Sequence, residues 1–194
     1  VRIEVREAFG HEDQESVVDF DSSVTVDLTL ATVPIEISSL EGLQKIGDER
    51  KYPLDKDYVL VSDIDATPTE GMNNGKGFEP IGTSSTESFR GTFNGNGFVI
   101  SNLTIDRPGV STLGLFQIIS GAGEVLDLTL SEVSIKGSAA VGGIVGRLSQ
   151  DSDIGGIKGC KVSGIVDVGD GRRVGGVVGI ISGISTVEAV KVAD

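Results

Sequence analysis

Tryptophan is absent from this chain, and cysteine, methionine and histidine occur once each. Each scarcity removes a class of answer. A lone Cys160 excludes an internal disulfide framework. A lone His11 excludes an HExxH motif or a Cys-His zinc cluster. Any Ser-His-Asp triad would have to use that one histidine, in an acidic loop. Aromatic residues make up only 5% of the chain, which predicts a core of Val, Ile and Leu on pleated surfaces. Few rings remain to stack on sugars. Lys and Arg number 16 against 29 Asp and Glu, a net charge of −13. That balance excludes nucleic acid as a partner and disfavours anionic lipid surfaces. No apolar run reaches the length of a membrane span, so no membrane insertion is expected. No signal peptide, phosphate loop or GxGxxG motif opening a helix is present.

Glycine is what the chain has in excess, at 28 of 194 residues. That is about twice the usual share of roughly 7%. With only five prolines, the excess points to turns and closely stacked backbone rather than disorder. The acidity favours solubility, and calcium association or a salt-adapted source would also account for it. Cys160 has apolar neighbours and reads as a small buried hydrophobe. The chain begins at Val1 rather than Met, which predicts a processed product or an excised fragment.

Residues 1–37 read as strands, either a preceding element or the first part of the main domain. Apolar residues alternate at Ile3 and Val5, from Val24 to Leu30, and from Val33 to Ile37. Over residues 38–47, Leu40, Leu43 and Ile46 recur at helical spacing, with Ser39 to cap the start and Gly47 to end it. YVLVSDIDA, residues 58–66, is a strand, and residues 67–80 read as a long polar loop.

From residue 89 onward the chain repeats. One motif is a glycine followed by apolar residues, at Gly114-Leu115-Phe116, Gly143-Ile144-Val145-Gly146 and Gly176-Val177-Val178-Gly179. The other places apolar residues at i, i+3 and i+5. Its copies are Ile100, Leu103 and Ile105; Val125, Leu128 and Leu130; Ile157, Cys160 and Val162; and Val187, Val190 and Val192. The two alternate at a spacing near thirty residues. Short β-rich runs at that period predict a solenoid, because one coil cannot bury its own apolar face and stacking makes the core continuous. In this alignment Leu103, Leu128, Cys160 and Val190 form one vertical file. Leu113, Val141 and Val174 point into the column. The Asn94-Gly95-Asn96-Gly97 tip is a type I′ corner between two strands, anchored by Phe89, Phe93 and Phe98.

PIGTSSTESFRGTFNGNGFVISNLTI, then GLF, then two GG-[IV]-VG repeats, resembles the GLUG-type repeat region of bacterial surface proteins. That region occurs in large adhesins and in IgA-specific metallopeptidases. The likeness covers roughly residues 35–190. It implies a right-handed parallel β-helix on an exported, extracellular cell-surface protein. Family repeats often carry an Asn-Cys-Tyr-type triplet where this chain has Gly159-Cys160-Lys161, and the peptidase zinc motif is absent. The resemblance therefore carries over a scaffold and no protease chemistry.

Candidate chemistry is sparse. β-helical enzymes acting on polysaccharides need paired carboxylates or an acidic calcium site. Asp63 and Asp65 lie two apart on one strand face. Asp151, Asp153, Asp167 and Asp170 sit in predicted loops, and Asp167 with Asp170 are the calcium candidates. Arg172, Arg173, Lys158 and Lys161 form a local basic group able to pair with Asp167 and Asp170. Asn102-Leu103-Thr104 matches the glycosylation sequon with Asn102 facing outward, a match without a role in a bacterial protein.

The sequence thus predicts an all-β protein, a right-handed parallel β-helix over residues 38–194 with one short capping helix, continuing beyond residue 194 or packing its last coil on another molecule. The expected function is a non-catalytic scaffold or adhesion module without a cofactor. Its partners would be a host protein or glycan, adjoining domains, or another copy stacked end to end. The alternatives are a carbohydrate-active enzyme using paired carboxylates and a calcium-stiffened adhesion module.

Overall fold

The computed structural model describes residues 33–47, 50–151, 155–168, 173–184, 187–188 and 191–193. The chain divides into two compact units, Val1–Ala31 and Thr32–Asp194, and the second holds all of the described residues. The strands expected before residue 31 lie outside the described residues, as do His11, Asp153, Asp170, Arg172 and Val190.

The second unit is a parallel β-solenoid. Its first sheet stacks β1 (Ile35–Ile37), β2 (Tyr58–Leu60), β4 (Thr92–Asn94), β9 (Glu124–Leu126), β13 (Gly156–Lys158) and β17 (Val187–Glu188). A second stacks β3 (Ile64–Asp65), β5 (Val99–Ser101), β10 (Thr129–Lys136), β14 (Lys161–Asp167) and β18 (Lys191–Ala193), with β6 (Thr104–Asp106) also on β10. Two three-stranded sheets complete the wall. One holds β7 (Thr112–Leu113), β11 (Ala140–Gly142) and β15 (Arg173–Gly175). The other holds β8 (Phe116–Ser120), β12 (Val145–Asp151) and β16 (Val178–Ile184). Every pairing between these strands is parallel. Each strand pairs with its equivalent one coil away, so the apolar side of every coil is buried by its neighbours.

The helix forms as its spacing predicts. α1 spans Leu40–Gln44, and the Ser39 hydroxyl accepts the Gly42 N–H at 3.2 Å. Leu43 and Ile46 are buried in the common core, and Leu40 packs against it. The polar stretch from residue 67 is more ordered than a loop. A 3-10 element runs over Thr67–Gly75, broken at Met72, Asn73 and Asn74. Its start is fixed by Asp65, whose carboxylate accepts both the Thr67 N–H and the Thr67 hydroxyl.

The core is not purely aliphatic. Tyr58, Phe78, Phe89, Phe93 and Phe116 are among its largest fully buried side chains. The Phe89 and Phe116 rings lie 4.9 Å apart, and Phe93 meets Phe116 edge-on at 5.4 Å. The low aromatic total hid a local concentration, since five of the seven Phe fall between residues 78 and 116. Later coils are filled by Val125, Leu128, Leu130, Ile144, Leu148 and Ile157.

The strand register upholds the glycine motif and corrects the other. Phe116, Val145 and Val178 stack in one file, as the glycine spacing requires. Val125, Ile157 and Val187 also stack, but the residue beneath Val125 is Phe93 rather than Ile100. Ile100 lies beside Leu130, and Ile105 beside Ile135. Leu103 therefore falls level with Val133, one corner further along, while Leu128 and Cys160 share the first corner. The expected single file of Leu103 with Leu128 does not exist.

The reason lies in the backbone. Asp127, Gly159, Asn102 and Glu132 all have positive φ, at 47°, 65°, 59° and 54°. Each sits at a corner between strands. A left-handed residue there interrupts the in-out alternation, so two outward positions separate one inward residue from the next. The i, i+3, i+5 spacing is the mark of such a corner, and a coil has more than one. Val125, Leu128 and Leu130 flank Asp127, whereas Ile100, Leu103 and Ile105 flank Asn102 and match Leu130, Val133 and Ile135 around Glu132.

The Asn-Gly tip accounts for the rest of the slip. Phe98 N–H donates to Gly95 O at 2.9 Å, and Asn96 and Gly97 between them have φ of 51° and 81°. Positive φ at both central positions is what a type I′ turn demands. Its strands, β4 and β5, belong to different sheets, so it is a corner of the coil and not a hairpin. Phe89 and Phe93 are fully buried beside it, and Phe98 packs against the core.

Leu113 and Val141 are buried as expected, but Val174 is 53% exposed although in register with them. Ile181 and Val187 are likewise exposed partners of the buried Leu148 and Ile157. All three occupy inward files in edge strands, where no further described coil covers them.

Candidate functional site

Acidic side chains of one coil reach backbone donors of the next. Asp57 Oδ1 accepts Thr92 N–H at 2.8 Å, and Asp63 Oδ1 accepts Val99 N–H at 2.8 Å. The buried Thr69 hydroxyl accepts Thr104 N–H at 2.9 Å. These donors open β4, β5 and β6, where the ladder of the coil below has not yet begun. A backbone N–H needs an acceptor wherever pairing stops, and a carboxylate supplies a charge-assisted one. Sequence reading missed this set. Its only signal is the separation of each pair by about one coil.

The pair most suggestive of catalysis, Asp63 and Asp65, belongs to this bracing. Both are exposed on either side of the buried Ile64. Asp65 Oδ1 also accepts the Asn102 amide at 3.1 Å. The Thr67 hydroxyl, the Thr67 N–H and Asn102 together hold its carboxyl below the ordinary value. Hydrogen bonds to the charged form cause that shift.

Asp151 and Asp167 lie in strands, at the ends of β12 and β14, rather than in loops. These strands belong to different sheets. Asp167 stands in register with Lys136, which in turn faces Asp106 on the other side. The calcium candidate is therefore part of an Asp-Lys-Asp ladder. Among the described residues no group of three His, Cys, Asp or Glu is placed to hold a metal ion. Lys158 reaches down a coil to Glu124 at 2.8 Å rather than along its own turn. That contact raises the lysine's pKa. A second inter-coil pair joins Arg107 to Glu79 at 2.6 Å.

A cleft of about 420 Å³ lies beside α1, lined by Gln44, Leu54, Asp55, Glu79, Glu87 and Arg90 among others. Its charged side chains are engaged: Glu79 with Arg107, the Glu87 carboxylate with the Thr83 hydroxyl, and Arg90 with the carbonyls of Thr86 and Ser88.

Cys160 is fully buried, with its thiol 3.3 Å from Lys158 O. Burial pushes its pKa up to about 11. Tyr58 is raised further, by burial first and then by Asp55, and donates its hydroxyl to Pro53 O at 2.7 Å. A thiol held there offers about a hundredth of the usual thiolate at neutral pH. Native protein should therefore react with a disulfide reagent at pH 8 at least about 100-fold more slowly than urea-unfolded protein. Equal rates would mean that the thiol is accessible.

No protein-family profile matches this chain. Over 154 residues, 78% of the chain, it is 40% identical to Halomucin of Haloquadratum walsbyi, of which the match covers 2%. It is 37% identical over 93 residues to a candidate Gly-rich membrane protein of Evansella cellulosilytica, covering 46% of this chain and 10% of that one. The chain thus spans a small fraction of both relatives. Among solved structures, a candidate immunoglobulin A1 protease from Bacteroides ovatus superposes with a TM-score of 0.51 at 14% identity, over 82% of this chain and 64% of that one. At that identity the likeness shows the fold alone. No helix among the described residues is long and apolar enough to cross a membrane.

Proposed function

We propose that this chain is a non-catalytic scaffold or adhesion module of a large exported or cell-surface protein. The observation that carries the reading is the match to Halomucin: most of this column corresponds to a fiftieth of a very long chain. A segment of that proportion serves as one unit in a longer assembly. The GLUG-type resemblance of the sequence supports the same reading, as does a solenoid whose carboxylates brace one coil against the next. Such a column presents flat ladders of side chains suited to a host protein or a glycan.

The test is topological. Antibodies raised against the purified second unit should label intact cells of the producing organism without permeabilisation. Labelling that appears only after lysis overturns the reading.

A further inference from the structure

We propose that Asn102 is a site of N-linked glycosylation, carrying an oligosaccharide on its side-chain amide. The inference rests on the exported reading above and reverses the expectation that this match has no role. Asn102-Leu103-Thr104 is the single Asn-x-Ser/Thr sequence of the chain. The fold places it at the convex corner between β5 and β6, with the Asn102 side chain exposed, Leu103 buried beneath and Thr104 half-buried. The acceptor therefore faces outward while its neighbour anchors the corner.

The corner itself does not require asparagine. Its need is a residue that tolerates positive φ, and the next coil meets it with Glu132 at 54°. In the coil after that the register slips by one residue, and Gly164, opposite Val133, has a φ of 120°. The asparagine and the hydroxyl two residues later coincide in the first of these coils alone. The local hydrogen bonding also survives modification. One Asn102 amide hydrogen goes to Asp65 Oδ1 at 3.1 Å. A glycosylated amide keeps one hydrogen, so this bond and the sugar can coexist.

The donor would be an oligosaccharide linked through phosphate to a polyisoprenoid lipid. The amide nitrogen attacks the anomeric carbon and forms the C–N bond. The anomeric C–O bond to the lipid phosphate breaks, and the released phosphate keeps the electron pair. The displaced amide proton passes to a carboxylate base of the transferase. A bulky polar adduct at an exposed corner leaves the core undisturbed.

Full-length protein purified from the producing organism provides the test, by mass spectrometry of the peptide spanning Asn102. The expected result is a mass increase in hexose-sized steps, localised to Asn102. Thr104→Val should abolish it and Thr104→Ser should retain it, with the melting temperature of each within a few degrees of the parent. Valine keeps the strand and the Thr104 N–H bond to Thr69, so loss of the adduct in a folded variant reports the hydroxyl. A peptide at its unmodified mass, or an adduct that persists in Thr104→Val, overturns the proposal. Antibody labelling of intact cells separately decides whether the exported reading stands.

Discussion

Replacing Leu128 with aspartate should unfold the coils on either side of it. Leu128 is fully buried at the corner it shares with Cys160 in the coil above. The substitution removes a buried Leu side chain, which costs about 2–5 kcal/mol in cores. It also places a carboxylate with no partner in an apolar column, worth several kcal/mol more or a forced protonation. The sum rivals the whole stability of an ordinary domain, roughly 5–15 kcal/mol. Solenoid stability is nearly a sum over neighbouring coils, so the damage spreads to those that lean on the affected one. The control is Ile165→Asp, on β14 with its side chain 69% exposed. An outward change of that kind should cost no more than about 1 kcal/mol, the span of strand propensity. Urea denaturation followed by circular dichroism would compare the two. A Leu128→Asp protein that melts with the parent would show that the inward file has been misplaced.

Gly142→Ala should be costly for so small a change. The bend from β11 to β12 folds the chain so tightly that a Cβ on Gly142 would run into the carbonyl oxygens of Val145 and Val177 and the nitrogen of Gly179. Those atoms are backbone, held in ladders between coils, and no rotamer can move them aside. Overpacking of this kind costs about 1–3 kcal/mol, with the upper end expected where only backbone can yield. Gly109→Ala is the matching control, since nothing lies within 4 Å of its Cβ position and its φ is not positive. That substitution should be neutral or stabilise by about 0.4–1 kcal/mol, through the unfolded chain. Melting curves that place Gly142→Ala level with Gly109→Ala would refute the tight bend.

Much of the architecture was legible because it depends on period. Alternation gave strands, a thirty-residue spacing gave stacking, and Ser39 caps α1, which ends at Gln44, ahead of Gly47. The slip at Leu103 has a physical cause. Apolar spacing reports that a left-handed residue interrupts a strand, not which corner of the coil it occupies. Two corners with the same local geometry therefore write the same pattern, and only inter-coil register separates Ile100 from Val125. The aromatic cluster was hidden for another reason: composition is an average, and Phe93 and Phe116 are neighbours only after a coil has closed. The bracing by Asp57, Asp63 and Thr69 was invisible because a carboxylate and a backbone N–H one coil apart leave no residue-type signature. Asp63 and Asp65 looked like a catalytic pair from spacing alone, and their hydrogen bonds show what holds each of them.

Coil length varies along this column. From Tyr58 to Phe93 is 35 residues, from Phe93 to Val125 is 32, and from Ile157 to Val187 is 30. The differences are absorbed at bends such as Asn96-Gly97 and at Gly164, where β10 and β14 shift against each other by one residue. Facing is reset at each such bend, so residues can be gained or lost there without turning the interior inside out. The girth can thus change from coil to coil while the straight segments stay in line. Descent with small insertions would leave its traces at the bends, and the walls between them would keep one common template.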